Sequence, residues 1–437
     1  MKNLLIILIL VCFGLTEVRA ESYSLEQFLA LVKENSKDLQ LARKDLDMAA
    51  AIKKEAWATA LPKVFAKGDY IRNLKENVLF IGMPDPDTDE MTTQKFQVSF
   101  KNDVRFNIAL QQPLFSFKIG DALTAAKQYE KLSGYVFDAQ NLGILTFAKK
   151  GFYQALLLKK LVEVSKASEK SALDNFTNIK DKFDNGLVSE LELLQAEMRW
   201  KNQVPVVTES ERNYKLLLEN LKNFAGLNPE EELSFSGSLD TYPAKPERMK
   251  ASDVFKLRPD YNALLWEKNL RGTDVKSQYS EYLPTLDGSF VYSFSSISDE
   301  WDLANRNENY MLGLSLNIPI YTGGYTGAQL QKAKIGLDKS KIKLMQAREN
   351  ISNELDNIYL RLDEAEQRII SARSTIETSR KAYSIAETSA ENGLITQLDL
   401  RDTRVYLDQA ELNYYMAVFD YLNAYFDWEQ ASGQKEK

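Results

Sequence analysis

The chain has 437 residues, 44% hydrophobic and 27% charged, with 55 Lys+Arg against 62 Asp+Glu for a formal charge of −7. A mean hydropathy of −0.36 excludes a bundle of membrane helices, and the acidic balance disfavours a phosphate backbone, so no nucleic-acid partner is expected. The absence of histidine and the single cysteine, Cys12, remove the commonest general base, the commonest metal ligand and thiolate chemistry, so no catalytic residue, cofactor or metal is expected.

Residues 1–20 read as a secretory signal: Met1-Lys2 is basic, Leu4 to Leu15 is apolar, and Val18-Arg19-Ala20 is a small-x-small cleavage site before Glu21. The apolar run is too short to span a bilayer, and cleavage after Ala20 leaves Cys12 in the leader, so a lipid anchor is not expected. No later run approaches the roughly 18 apolar residues of a spanning helix. Any membrane role must therefore use strands or a surface contact.

A first unit is expected at 21–228. It holds a helix from about Lys37 to Ala60, a strand pair at about 63–73 and 95–114, a long helix at 118–184 and a return helix at 189–226. The stretch from Asn73 to Lys95 is polar and reads as a loop, and Pro205 predicts a kink or break in the return helix. An irregular linker with Pro243 and Pro246 follows at 229–258. The second unit, 259–433, repeats the order: a helix from Pro259 to about Glu281, strands at about 285–295 and 309–320, a long helix at 324–392 and a return helix at 396–432. A short charged tail, 434–437, is expected to be disordered.

The long helices are coiled-coil in character. Ile351, Leu355, Ile358, Leu362, Ala365, Ile369, Ala372 and Ile376 alternate spacings of four and three, a seven-residue repeat over about four heptads among polar neighbours. The last helix carries a stripe at Leu398, Val405, Leu412, Tyr415, Phe419, Leu422 and Phe426. Each long helix ends in a matching turn, Asn185-Gly186-Leu187-Val188-Ser189 and Asn392-Gly393-Leu394-Ile395-Thr396. Glycine permits the left-handed residue that stops a helix, and Ser189 and Thr396 supply N-cap oxygens for the returning one.

The halves align. Pro62 and Pro284 are 222 residues apart, Pro113 and Pro319 are 206, and Gly186 and Gly393 are 207, with about 16 extra residues in the first half between Lys75 and Gln94. Ordered matches at one offset mark a tandem duplication of about 207 residues.

Between the paired prolines the period falls to two. Val104, Phe106, Ile108 and Leu110 alternate with Arg105, Asn107, Ala109 and Gln111; Leu286, Phe290, Tyr292 and Phe294 and then Tyr310, Leu312, Leu314 and Leu316 do the same, while Val64 to Tyr70 is the weakest case. About ten residues suffice for a tilted transmembrane strand, yet alternation fits a soluble sheet packed on one face equally well. Four strands cannot close a barrel, and open edges do not exist in lipid, so spanning strands require copies that pool them; three copies supply twelve.

The duplication, the order of strands and helices, the Leu61-Pro62 and Leu283-Pro284 pairs and the two Asn-Gly-Leu-x-Ser/Thr turns together resemble the TolC-like outer-membrane efflux protein family over essentially the whole mature chain. The resemblance implies a mainly α fold with β. Long coiled-coil helices and four transmembrane strands per protomer would trimerise into a 12-stranded β-barrel continued by a 12-helix α-barrel. It implies an outer-membrane exit duct, reaching into the periplasm of a Gram-negative bacterium, for tripartite efflux or type I secretion. The implied partners are outer-membrane lipid, a periplasmic adaptor (membrane fusion) protein and an inner-membrane pump of the RND, ABC or MFS type.

By the same resemblance, Gly186, Leu187, Ser189, Gly393, Leu394 and Thr396 are the adaptor-docking tips. Asp399 and Asp402 match an acidic ring at the pore entrance, with Glu192 a polar gating partner. Ala390 and Ile395 stand where the family's best-known member carries a tyrosine and an arginine that latch the tip; Arg401 and Arg404 lie nearby. A periplasmic or surface coiled-coil scaffold, such as an adhesin stalk without a pore, is the alternative reading. A carboxylate-dependent hydrolase finds support only in abundant Asp and Glu.

Overall fold

The computed structural model describes residues 22–75, 77–84, 91–303 and 306–433. The expected signal segment with Cys12 and the expected tail lie outside these residues. The described chain runs β1 (Ser22–Tyr23), α1 (Leu25–Asn35), α2 (Lys37–Ala58), β2 (Lys63–Arg72), β3 (Val78–Pro84), β4 (Met91–Gln97), β5 (Asn102–Phe115), α3 (Phe117–Asp184) and α4 (Glu190–Ala225). It continues with β6 (Ser234–Phe235), α5 (Ala251–Leu257), α6 (Pro259–Ser280), β7 (Thr285–Ser298), β8 (Arg306–Asn317), α7 (Tyr325–Glu391) and α8 (Gln397–Ser432). Among the described residues no helix is long and apolar enough to cross a membrane.

Several expectations are corrected. The strand expected from residue 95 begins at Asn102, and residues 95–97 belong to β4. The presumed loop between β2 and β5 holds the β3–β4 hairpin, paired from Val78↔Gln97 to Pro84↔Met91; this is where the first half carries its extra residues. The break expected at Pro205 is absent, since α4 runs through it without interruption. A proline removes one hydrogen bond, and the rest of a 36-residue helix absorbs the loss. The linker is not wholly irregular, since it contains β6 and α5.

The chain divides into two compact units. One comprises the chain up to Leu46, Ser133–Ala263 and the part from Leu344 onward. Here Phe28 of α1, Phe152 of α3 and Phe235 of β6 form an aromatic core, with ring centroids 5.0 Å apart for Phe28–Phe235 and 4.8 Å for Phe152–Phe235. The α1 helix is set by a capping box: Gln27 N–H donates to Ser24 Oγ at 3.3 Å and Ser24 N–H to Gln27 Oε1 at 2.8 Å. That Ser-x-x-Gln signal precedes the first expected helix. The linker is strapped to the helices by tyrosines. Tyr359 Oη accepts from Met249 N–H at 2.8 Å and donates to the Glu247 carbonyl, and Tyr421 Oη donates to the Pro243 carbonyl at 2.9 Å. Burial pushes the Tyr421 phenol up to about 12.

The heptad residues Ile351 to Ile369 of α7 are buried, as their spacing predicts, while Ala372 and Ile376 are half-buried. In α8 the expected stripe is only partly right. Leu398 and Val405 are exposed, and the buried seam runs through Leu407, Ala410, Tyr414, Val418 and Tyr421 before meeting Leu422 and Phe426.

The other unit, Asp47–Leu132 with Leu264–Lys343, holds a four-stranded antiparallel sheet in the order β2-β5-β7-β8. Each half of the chain thus contributes one hairpin, joined along β5 and β7.

Candidate functional site

Register decides what the sheet can touch. Directly paired residues share a face. Val64 pairs with Leu110, Ala66 with Ile108, Gly68 with Phe106 and Tyr70 with Val104 across β2 and β5. Leu110 then pairs with Phe290, Ile108 with Tyr292 and Phe106 with Phe294; Phe290 pairs with Leu312, Tyr292 with Tyr310 and Leu286 with Leu316. The apolar sets of all four strands therefore fall on one face. The opposite face carries Lys63, Lys67 and Asp69, then Asp103, Arg105 and Asn107, then Asp287, Ser289 and Ser293, and finally Asn307, Asn309 and Ser315. Among the described residues of the unit none covers the greasy face at β8, where Leu312 is 86% and Leu314 73% exposed.

A soluble sheet hides its apolar face against a core, because exposing it costs roughly 25 cal/mol per Å². This one leaves it exposed on β2 and β8, with aromatic pairs Tyr70–Trp301 at one end (centroids 5.0 Å apart), Phe115–Phe117 at the other (4.9 Å) and Tyr292–Tyr310 between (5.0 Å). Aromatic girdles around an apolar band are the pattern of a membrane strand. Among the described residues β2 and β8 each have one neighbour, so the sheet has two open edges.

The tips are built alike. Asn185 and Asn392 donate side-chain N–H groups to Asp181 and Thr388 carbonyls. Gly186 (φ +72°) and Gly393 (φ +71°) occupy the left-handed region, and Leu187 N–H donates to the Lys182 carbonyl at 2.9 Å, Leu394 N–H to Ser389 at 2.8 Å. Both are Schellman closures, which satisfy the last helical carbonyls. Ser189 Oγ then accepts from Glu192 N–H at 3.3 Å and Thr396 Oγ from Asp399 N–H at 3.1 Å, which starts α4 and α8. Leu187 and Leu394 remain 73% and 77% exposed.

The acidic pair is less free than its spacing suggests. Asp399 closes a capping box, accepting from Thr396 N–H at 3.1 Å and Thr396 Oγ–H at 2.6 Å. Those bonds, the side-chain one first, hold its carboxyl below the usual aspartate range. Asp402 accepts two hydrogen bonds from Arg401, at 2.8 and 2.6 Å. Glu192 lies half-buried in the first turn of α4.

Above the tip is a cluster that the motifs marked only through Arg404. The Arg404 guanidinium lies 5.3 Å from the Tyr383 ring centroid, and its Nε approaches Asp408 Oδ1 to 2.8 Å, an ion-pair contact too bent for a hydrogen bond. Tyr383 Oη also lies 3.3 Å from Ser171 Oγ of α3. Burial, then Arg401 and Arg404, push Arg199 below the usual arginine range.

The outer membrane efflux protein family matches residues 29–227 and 251–434. The chain belongs to that family. It is similar to the alkaline protease secretion protein AprF of Pseudomonas aeruginosa, 23% identical over 346 residues, 77% of this chain and 72% of that one. The outer membrane protein TolC of Vibrio cholerae is 20% identical over 335 residues, 75% and 76% of the two chains. Among solved structures, the CmeC outer membrane channel of Campylobacter jejuni matches with a TM-score of 0.78 at 19% identity, covering 94% of this chain and 85% of that one.

As an outer membrane efflux protein the chain is a channel of the outer membrane, and the stalk reading is set aside. The mainly α fold with β is the one its sequence implies.

Proposed function

We propose that three copies of this chain pool their strands into a twelve-stranded barrel, forming a passive exit duct that performs no chemistry of its own. One observation carries the reading: an antiparallel sheet with an uncovered apolar face, a polar opposite face and two unpaired edges. Open edges in lipid leave backbone groups unsatisfied, each costing several kcal/mol, and closure removes them. An even strand number, with β2 and β8 antiparallel in the sheet, permits closure of one copy on the next.

The helices of the two tandem units, 21–228 and 259–433 joined by 229–258, would continue the duct as a twelve-helix barrel after removal of residues 1–20. In this reading Gly186, Leu187, Ser189, Gly393, Leu394 and Thr396 meet a periplasmic adaptor. The exposed Leu187 and Leu394 support it: a Schellman closure favours an apolar residue there to pack on the preceding turn, yet both side chains remain mostly in water. Asp399, Asp402 and Glu192 would stand at the pore entrance. An inner-membrane pump of the RND, ABC or MFS type would supply the free energy.

Single-channel recording on the purified protein in planar bilayers tests the proposal, together with its mass in detergent. A trimer with stable ohmic conductance is expected. A water-soluble monomer without conductance would refute it.

A further inference from the structure

The polar face of the sheet is interrupted at one level. Phe65 pairs with Ala109, Ala109 with Val291 and Val291 with Met311, so each strand places an apolar residue in the same row. Phe65 and Met311 are 49% and 47% exposed, Val291 is half-buried, and Ala109 is buried at 8%. The row on one side is Lys63, Gln111, Ser289 and Gly313; on the other it is Lys67, Asn107, Ser293 and Asn309. Those two rows carry two lysines and no carboxylate, and Lys67 reaches Asp69 one row further out at 3.1 Å. A second apolar level, Ile71 and Ile297, is broken by Asp103 between them.

Cross-strand packing stabilises a sheet wherever such residues meet. It gives no reason for them to meet on the watered face, at one level, on all four strands. The row's exposed members, Phe65 and Met311, are where apolar cargo would lose hydrated surface. Lys67 is already paired with Asp69, so it is Lys63, with no carboxylate in its row, that favours a negative group beside it.

We propose that the row Phe65–Ala109–Val291–Met311 is a transit contact for anionic amphiphiles, molecules with an apolar body and one negative group. The contact rests on the reading of the polar face as pore lining. Its affinity is necessarily low, because a conduit must release what it binds. Three copies would repeat the row around the lumen.

The probe is 2-naphthalenesulfonate, added at millimolar concentration to the reconstituted channel, with 1-naphthylmethylammonium as the cation of similar body. The sulfonate is expected to reduce the mean current more than the cation does. Phe65→Ser and Met311→Ser should each weaken its block by about three- to tenfold, as the loss of a half-exposed apolar contact implies. Lys63→Gln, which leaves the row intact, should narrow the gap between the two probes. Equal block of the unsubstituted channel and both serine variants, block favouring the cation, or no block at all would overturn the contact while leaving the pore reading in place. A protein without conductance would overturn both.

Discussion

Replacing Leu314 by arginine places a charge on the face assigned to lipid, and replacing its neighbour Ser315 places the same charge on the face assigned to water. Leu314 pairs with Gly288 and Ser315 with Asp287, so one residue of displacement switches the environment completely. An arginine at the lipid midplane of a barrel costs about 2–4 kcal/mol, and Leu314 stands mid-band, four residues from Tyr310. Three copies raise that to about 6–12 kcal/mol per assembly, comparable with the whole stability of a folded protein. Arginine at 315 faces the Asp287 carboxylate across the ladder and should be nearly neutral. The assay is outer-membrane fractionation with gel mobility of unheated samples. Leu314→Arg should lose the heat-resistant oligomer and Ser315→Arg should keep it. Identical behaviour of the two variants, or the reverse order, would refute the assignment of faces.

Four further outcomes are expected. Gly226→Ala should lower stability by roughly 3 kcal/mol or more, because φ is +70° and the new Cβ would lie 2.3 Å from the Asn35 carbonyl oxygen, a backbone atom that cannot step aside. Gly186→Ala, at φ +72° with nothing within 4 Å, should lose only about 1 kcal/mol; thermal unfolding in detergent compares the two. Arg258 donates to Asp260 at 3.0 and 2.7 Å and to Glu354 at 2.5 Å, so Arg258→Met should cost about 1–3 kcal/mol, reduced by the partial exposure of both acids. Burial alone would raise Asp260, but the Arg258 bonds outweigh it and lower it; this stability is present above the ordinary aspartate range and lost as pH falls below it, so the variant should show a shallower acid limb in denaturation. At the tip, Asp402→Ala should weaken cation block of the channel more than Asp399→Ala, whose carboxylate is committed to its cap, and Arg401→Gln should strengthen block by freeing Asp402; dose–response curves on single channels decide. Pro205→Ala should raise the thermal midpoint by restoring a hydrogen bond inside α4, a gain of about 1–3 kcal/mol, and an unchanged or lower midpoint would contradict it.

What the sequence determines by itself is whatever repeats locally. Two-residue alternation marks Val104–Leu110 and Tyr310–Leu316 as strands, and the three-four spacing from Ile351 to Ile369 marks the buried seam of α7, because period alone tells a strand from a helix. The Asn-Gly-Leu turns are legible for the same reason: glycine at Gly186 and Gly393 and an oxygen three residues later suffice to stop and restart a helix. The first helix expected, from Lys37, leaves out α1, although its Ser24 and Gln27 box is an equally local signal. The β3–β4 hairpin has no such signal, since Thr92, Thr93 and Gln94 lack the alternation that names a strand and are held by pairing with Gly82 and its neighbours.

Only the tertiary structure decides through-space matters. Alternation could not say whether four apolar sets fall on one face; the register of β5 against β7, residues nearly two hundred positions apart, does. It also aligns Phe65 with Met311 on the polar face, which no single strand reveals. Which face of α8 is buried, which carboxylate binds its own cap and which meets an arginine, and where Tyr359 and Tyr421 strap the linker all depend on neighbours brought close by the fold. Periodicity constrains direction along one element, whereas partnership depends on distance between elements. That distance is set when the chain packs.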